Sequence, residues 1–226
     1  MMDYICTNEP IKQAALAAAG SIREHLYKGE RVLWLLSGGS SLTIAVMASQ
    51  NKRLKNIDLS NLYISVTDER FGPIGHDNEN WQQLIDAGFW LHGANLYRPL
   101  TGRDIETTTT AFNNWLETQF KTADFKLGIF GIGVDGHTAG IKPFSSATES
   151  TDYATSYSCN KFERITISFF AIEQLDQAII QASDDEKQPI VNEFIYEKFP
   201  IDKQPAQILK KIPNISIYTN IVKKVY

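Results

Sequence analysis

At 226 residues, with 43% hydrophobic and 21% charged side chains, the chain has the length for one well-buried core and too little for two comfortable ones, so a single domain over residues 1–226 is expected. A formal charge of −4 offers no basic field for nucleic acid, so an anionic ligand must be held by a local cluster of cations, and a small anion is favoured over a polymer. Cys6 and Cys159 make neither a disulfide framework nor a thiolate metal site, the first residues lack a basic leader, and no apolar run nears the roughly 20 residues of a membrane span; the expectation is a cytoplasmic protein off the membrane.

In chain order, Ile11 to Tyr27 has alanine-rich helical composition and precedes the first apolar strand signal, Val32 to Leu36. A glycine turn follows, then a helix-length segment from Ser41 to Leu54 and a second strand signal, Leu62 to Val66. Ile105 to Phe120 reads as a helix opened by Asp104 as N-cap, and Leu127 to Ile132 as a short buried strand bounded by glycines. The Ser/Thr-rich stretch from Ser145 to Ser158 reads as a surface loop. Further strand signals fall at Ile165 to Phe169, Ala178 to Ala182 and Ile215 to Tyr218, with a helix from Asp185 to Lys198 whose Ile190, Val191, Phe194 and Ile195 share a face. Strand and helix in repeated alternation imply a three-layer α/β/α, Rossmann-like fold with a mostly parallel sheet covered on both faces.

Chemistry-bearing residues cluster where strands end, the edge at which open parallel sheets bind ligands. Ser37-Gly38-Gly39-Ser40-Ser41 follows the first apolar strand and opens a helix. Glycines let backbone N–H groups point inward, the helix adds its positive end, and the serines add hydroxyls, a set suited to phosphate. Its spacing fits neither the P-loop nor the dinucleotide fingerprint, and an ordinary serine-capped turn has the same composition. Thr67-Asp68-Glu69-Arg70 follows the second strand; two acids and a guanidinium there can orient hydroxyls, move protons or neutralise developing charge, although loop salt bridges share that composition.

Gly131 to Ala139, reading GIGVDGHTA, displays Asp135 and His137 from the end of a strand. A histidine there can titrate near neutral pH and act as a general base; the alternative is a tight turn in which Asp135 caps a following helix. Arg164 and Lys187 are candidate phosphate clamps, one a bidentate fork and the other a point charge, against the ordinary alternative of solvated surface cations. Outside these clusters His25 reads as a surface residue, His92 as a loop residue and His76 as a neighbour of the ligand, while Trp34, Trp81, Trp90 and Trp115 read as core.

These residues together resemble the 6-phosphogluconolactonase family, within the group that also holds glucosamine-6-phosphate deaminases, over nearly the whole chain. Ser37-Gly38-Gly39-Ser40 is similar to its SGGS loop, Asp68-Glu69-Arg70 with Pro73 to its DERxxP, Gly131 to Ala139 to its GxGxDGHTA, Arg164-Ile165-Thr166 to its RIT, and Lys187 to a lysine in its last third. Departures fall at Glu79-Asn80 in place of SN, Gly140-Ile141-Lys142-Pro143 in place of SLFP, Lys161 to Glu163 in place of prolines, and Asp184 in place of glycine.

The resemblance implies hydrolysis of 6-phospho-D-glucono-1,5-lactone without metal or cofactor, coupled to glucose-6-phosphate dehydrogenase as the source of the lactone. His137 is then the general base, Asp135 the residue that holds the loop or the imidazole, Asp68 the residue that orients a hydroxyl or water, and Arg70 or a backbone N–H the oxyanion donor. Ser37, Gly38, Gly39, Ser40, Arg164 and Lys187 bind phosphate; Lys142, where the chain departs from the family pattern, offers a further phosphate contact of its own. The rival readings are a glucosamine-6-phosphate deaminase, whose pattern has Tyr at the position of Arg70 and an Asn-Glu pair after the histidine, and a non-catalytic sugar-phosphate-binding module, which normally carries a DNA-binding segment.

Overall fold

The computed structural model describes residues 2–159, 162–183 and 185–220; Lys161 and Asp184, two of the departures named above, lie outside them. The elements run β1 (Met2–Cys6), α1 (Pro10–Tyr27), β2 (Val32–Leu36), α2 (Leu42–Ser49), β3 (Leu62–Val66), β4 (Asp68–Arg70), α3 (Asn80–Asp86) and β5 (Asn95–Leu96). They continue with α4 (Ile105–Thr122), β6 (Phe125–Gly131), β7 (Ala154–Cys159), β8 (Phe162–Ile167), α5 (Phe169–Ile172), β9 (Gln177–Gln181), α6 (Gln188–Tyr196) and β10 (Asn214–Thr219). Seven strands form a parallel sheet in the order β1-β10-β9-β6-β2-β3-β5.

Alternation along β2 shows why this sheet needs cover on both faces. Val32, Trp34 and Leu36 pack with Ala14, Ala18 and Ile22 of α1 and Ile44 and Ala48 of α2. Leu33 and Leu35 join the opposite core, with Phe112 and Leu116 of α4 and Val191 and Phe194 of α6. All five residues of β2 are fully buried, which is why an unbroken apolar run, without period-two alternation, marks a central parallel strand. The expected α/β architecture with helices on both faces is therefore observed.

Three of the expected segments take a different form in the structure. Residues 162–167 are not in the parallel sheet; β8 is the middle strand of a separate antiparallel sheet, order β4-β8-β7, and the chain turns into α5 at Phe169 because the Ser168 side chain accepts from the Ala171 amide (3.2 Å). Residues 154–158 of the expected loop lie in β7, where Thr155 and Tyr157 carry the strand preference of branched and aromatic side chains despite the polar composition. The helix expected to reach Leu54 stops at Ser49, since the Asn51 side chain accepts from the Arg53 amide (3.0 Å) and caps a short 3-10 turn instead. Asp104 caps α4 as expected, through the Thr107 amide at 2.8 Å. Trp34 and Trp81 are buried and Trp115 packs against the core, but Trp90, beyond the end of α3, is 65% exposed. No helix among the described residues is long and apolar enough to cross a membrane.

A candidate active site at the carboxyl edge of the sheet

Parallel strands end on one edge, so the neighbours β9, β6, β2 and β3 bring four loops side by side: the segment carrying Lys187, the turn carrying His137, the serine-glycine loop, and the turn into β4. Between β2 and β6 the chain order reverses, the switch point at which such sheets bind ligands. A cavity of about 300 Å³ opens there, lined by Ser37 to Ser41, Asp68, Arg70, Asn80, Gly131 to Gly133, His137, Ala139, Lys142, Arg164 and Lys187. Nine of the ten residues singled out in the sequence face this one space; the tenth, Asp135, stands behind His137.

The floor is a set of hydroxyls that join strand ends. Ser37 Oγ donates to the Ile129 carbonyl (2.7 Å) and lies 2.8 Å from Thr67 Oγ1, linking the ends of β2, β6 and β3. That hydroxyl is engaged within the protein, unlike the ligand-facing donor expected from its position. Ser40 Oγ donates to Gln181 (3.0 Å) and accepts from Lys187 Nζ (3.1 Å), so Lys187 stands over the glycine loop. Gly38 is required by close approach: a Cβ there would lie 2.1 Å from Asn80 Oδ1.

The turn after β6 is built around a second close approach. A Cβ on Gly133 would fall 2.0 Å from His137 Nδ1 and 2.7 Å from Asp135 Oδ1, so only glycine leaves room for that pair. Asp135 Oδ1 accepts from the His137 amide (3.2 Å) and contacts His137 Nδ1. No α-helix follows; Thr138 bridges back to Ile141, and Gly140 N donates to Thr166 Oγ1 of β8 (3.0 Å). Lys142, expected as a phosphate contact, instead directs Nζ to Asp135 Oδ2 (2.9 Å) and to His137 Nδ1 (2.9 Å). Burial alone would raise the Asp135 carboxyl, but the hydrogen bonds and charge of His137 and the hydrogen bond of Lys142 outweigh it and hold the group well below the usual carboxylate range.

The β4 segment separates its charges by pairing. Asp68 and Arg70 point to the cavity, with Arg70 opposite Arg164 across the β4–β8 ladder and Asp68 Oδ2 3.8 Å from Arg164. Arg164 Nε and Arg70 Nε are buried without a hydrogen-bond partner among the described residues. Glu69 turns the other way, fully buried, and accepts from the amides of Arg70 (2.8 Å), Asn80 (2.6 Å) and Trp81 (3.0 Å) at the start of α3. Burial pushes its carboxyl up to about 8 against the pull of those three donors.

That shift has a sign in stability. The folded protein keeps a proton on Glu69 that the unfolded chain loses near 4.5, so this contribution is fully present below about 4.5 and gone once the pH passes about 8. The Tm of wild type relative to Glu69→Gln is therefore expected to fall by a few degrees between pH 5 and 8, measured by thermal unfolding; a difference that rises over that window contradicts the assignment.

Asn80 is the lining residue that sequence reasoning noted only as a departure; its Nδ2 donates to the Asp68 carbonyl (2.8 Å) while its side chain presses on Gly38, joining both loops. Its neighbour Glu79, also a departure, is buried off the cavity and forms a two-pronged ion pair with Arg98 (2.6 Å each). His76 Nε2 donates to the Arg70 carbonyl (3.0 Å) without lining the cavity, His25 stacks on Phe125 and is half-buried, and His92 is an exposed turn residue. Among the described residues no group of three or more His, Cys, Asp or Glu side chains converges to hold a metal ion.

The sequence pattern of the family described as glucosamine-6-phosphate isomerases/6-phosphogluconolactonase matches residues 7–216. The chain belongs to that family. Within it, the chain is 29% identical over 191 residues to a 6-phosphogluconolactonase of Helicobacter pylori, covering 81% of each. It shares its fold with a 6-phosphogluconolactonase of Thermotoga maritima (TM-score 0.82, 17% identity, 97% and 99% of the two chains) and with a monomeric glucosamine-6-phosphate deaminase (TM-score 0.78, 17% identity, 96% of each). Fold alone thus leaves both activities of the family open, and the loops must separate them.

Proposed function

We propose that this chain hydrolyses 6-phospho-D-glucono-1,5-lactone to 6-phospho-D-gluconate, with His137 as general base. The observation that carries the reading is the meeting of His137 and the serine-glycine loop with Arg164 and Lys187 around one cavity of about 300 Å³, the small end of the range for ligand sites and enough for one hexose phosphate. Asp135 at Nδ1 leaves Nε2 as the nitrogen that takes a proton from water as its oxygen attacks the lactone carbonyl. The tetrahedral intermediate collapses with cleavage of the ring C–O bond, and His137 returns that proton to the departing ring oxygen. Arg70 or backbone N–H groups of the turn meet the oxyanion, and Asp68 orients a hydroxyl or the water.

Phosphate lies at the far end of such a substrate. Its binding by the Gly38–Ser40 backbone, Arg164 and Lys187 positions the ring instead of breaking the bond. The lactone would come from an oxidation at C1 of glucose 6-phosphate, the reaction of glucose-6-phosphate dehydrogenase. Freshly generated lactone incubated with the pure protein should release acid faster than buffer alone, and glucosamine 6-phosphate should release no ammonia; ammonia release would replace this reading with the deaminase one.

Gly133→Ala is expected to lower kcat by on the order of 10²-fold with circular dichroism unchanged, because the added methyl must push the imidazole from its place. Unchanged kcat would show that the observed position of the ring is not the working one.

A further inference from the structure

The turn that carries His137 holds a cation as well as an acid at the same ring nitrogen. Asp135 alone would favour the protonated imidazole, the form that cannot take a proton from water. Lys142 Nζ, 2.9 Å from both Asp135 Oδ2 and His137 Nδ1, opposes that effect at close range.

The ammonium is delivered by a fixed backbone. Lys142 N donates to Tyr157 Oη of β7 (3.2 Å), its carbonyl accepts from Ser145 N (3.2 Å) and Oγ (2.7 Å), and the preceding Ile141 is fully buried. The Lys142 side chain is only 22% exposed. An ammonium has donors and no acceptor, so with Nδ1–H directed to Asp135 it bonds the second carboxylate oxygen and acts on the ring through charge.

We propose that Lys142 is a positioning residue that anchors Asp135 and keeps His137 unprotonated at lower pH than the carboxylate alone would permit, an inference that rests on His137 acting as the base. Lys142 thus shares the work of the Asp135–His137 pair: the carboxylate sets the ring's orientation, and the ammonium cancels the carboxylate's tendency to hold a proton on it. The other charged groups around the cavity, Asp68 and Arg70 on β4, Arg164 on β8 and Lys187 before α6, are the same in every variant below, so differences report Lys142.

The test is a titration of the His137 ring C–H resonance by NMR in the full chain, assigned by its loss in His137→Asn, alongside kcat/KM against pH. Lys142→Met should raise the His137 midpoint by on the order of one pH unit, Lys142→Gln should do the same, and Lys142→Arg should keep it within about half a unit. The acidic limb of kcat/KM should move up with the midpoint, while His25, His76 and His92 titrate as in wild type and report an intact fold. An unmoved or lowered His137 midpoint in a folded Lys142→Met or Lys142→Gln protein overturns the proposal. A raised midpoint with an unmoved kcat/KM limb supports the charge balance and overturns instead the assignment of His137 as the base.

Discussion

His137→Asn is expected to lower kcat by about 10²–10⁴-fold with little change in KM, the range that a positioned general base supplies. The expectation is this specific because the ring stands on a turn at the cavity wall, its side chain 31% exposed, and removing it leaves the surrounding packing in place. The Asp135–Lys142 ion pair at 2.9 Å does not depend on the imidazole, so the turn should survive the substitution. Steady-state kinetics on freshly formed lactone, with thermal unfolding as the fold control, checks it. A mutant that keeps full kcat would remove His137 from the chemistry.

Arg164→Met should act on the other end of the substrate, raising KM for the phosphorylated lactone on the order of 10–100-fold and leaving that for the unphosphorylated lactone little changed. Arg164 lies mid-strand in β8, opposite Arg70, and its Nε is buried without a partner among the described residues. Asp68 Oδ2 lies 3.8 Å from its Nη1, an ion pair beyond hydrogen-bond length, so among the described residues no group bonds its Nε. Arginine held in this way matches a phosphate dianion, which can replace the hydration that folding removed. Competition between the two lactones separates the roles, since a residue that shaped the cavity without touching phosphate would weaken both equally.

Where the chain advertises its structure, the reason is burial. β2, β3 and β6 are central strands covered on both faces, and unbroken apolar runs such as Val32 to Leu36 announced them. β1 is exposed or half-exposed along its whole length at a sheet margin, and β7 is largely half-exposed and rich in serine and threonine, so neither carries the buried apolar run that marked the central strands. β4 was legible as a motif but not as a strand, because three residues acquire strand geometry only by pairing with β8, more than 90 residues later.

The site divides along the same line. Ser37 to Ser40, Asp68, Arg70 and His137 were legible because glycine turns and charged clusters followed recognisable strands. Asn80 and Lys142 were not legible in their roles, since each depends on a partner brought near by the fold: Gly38 and the Asp68 carbonyl for Asn80, Asp135 and His137 for Lys142. Ser37 shows the converse, a residue whose hydroxyl suited a ligand by composition and is spent on Ile129 and Thr67 in the folded chain.

A crystal structure with 6-phosphogluconate bound tests most directly whether one small molecule spans both ends of the cavity. The phosphate is expected within hydrogen-bond distance of Lys187 Nζ and the Gly38–Ser40 loop, with the carboxylate within reach of His137 Nε2. A phosphate seated against His137, or a product molecule bound away from this cavity, would contradict the account.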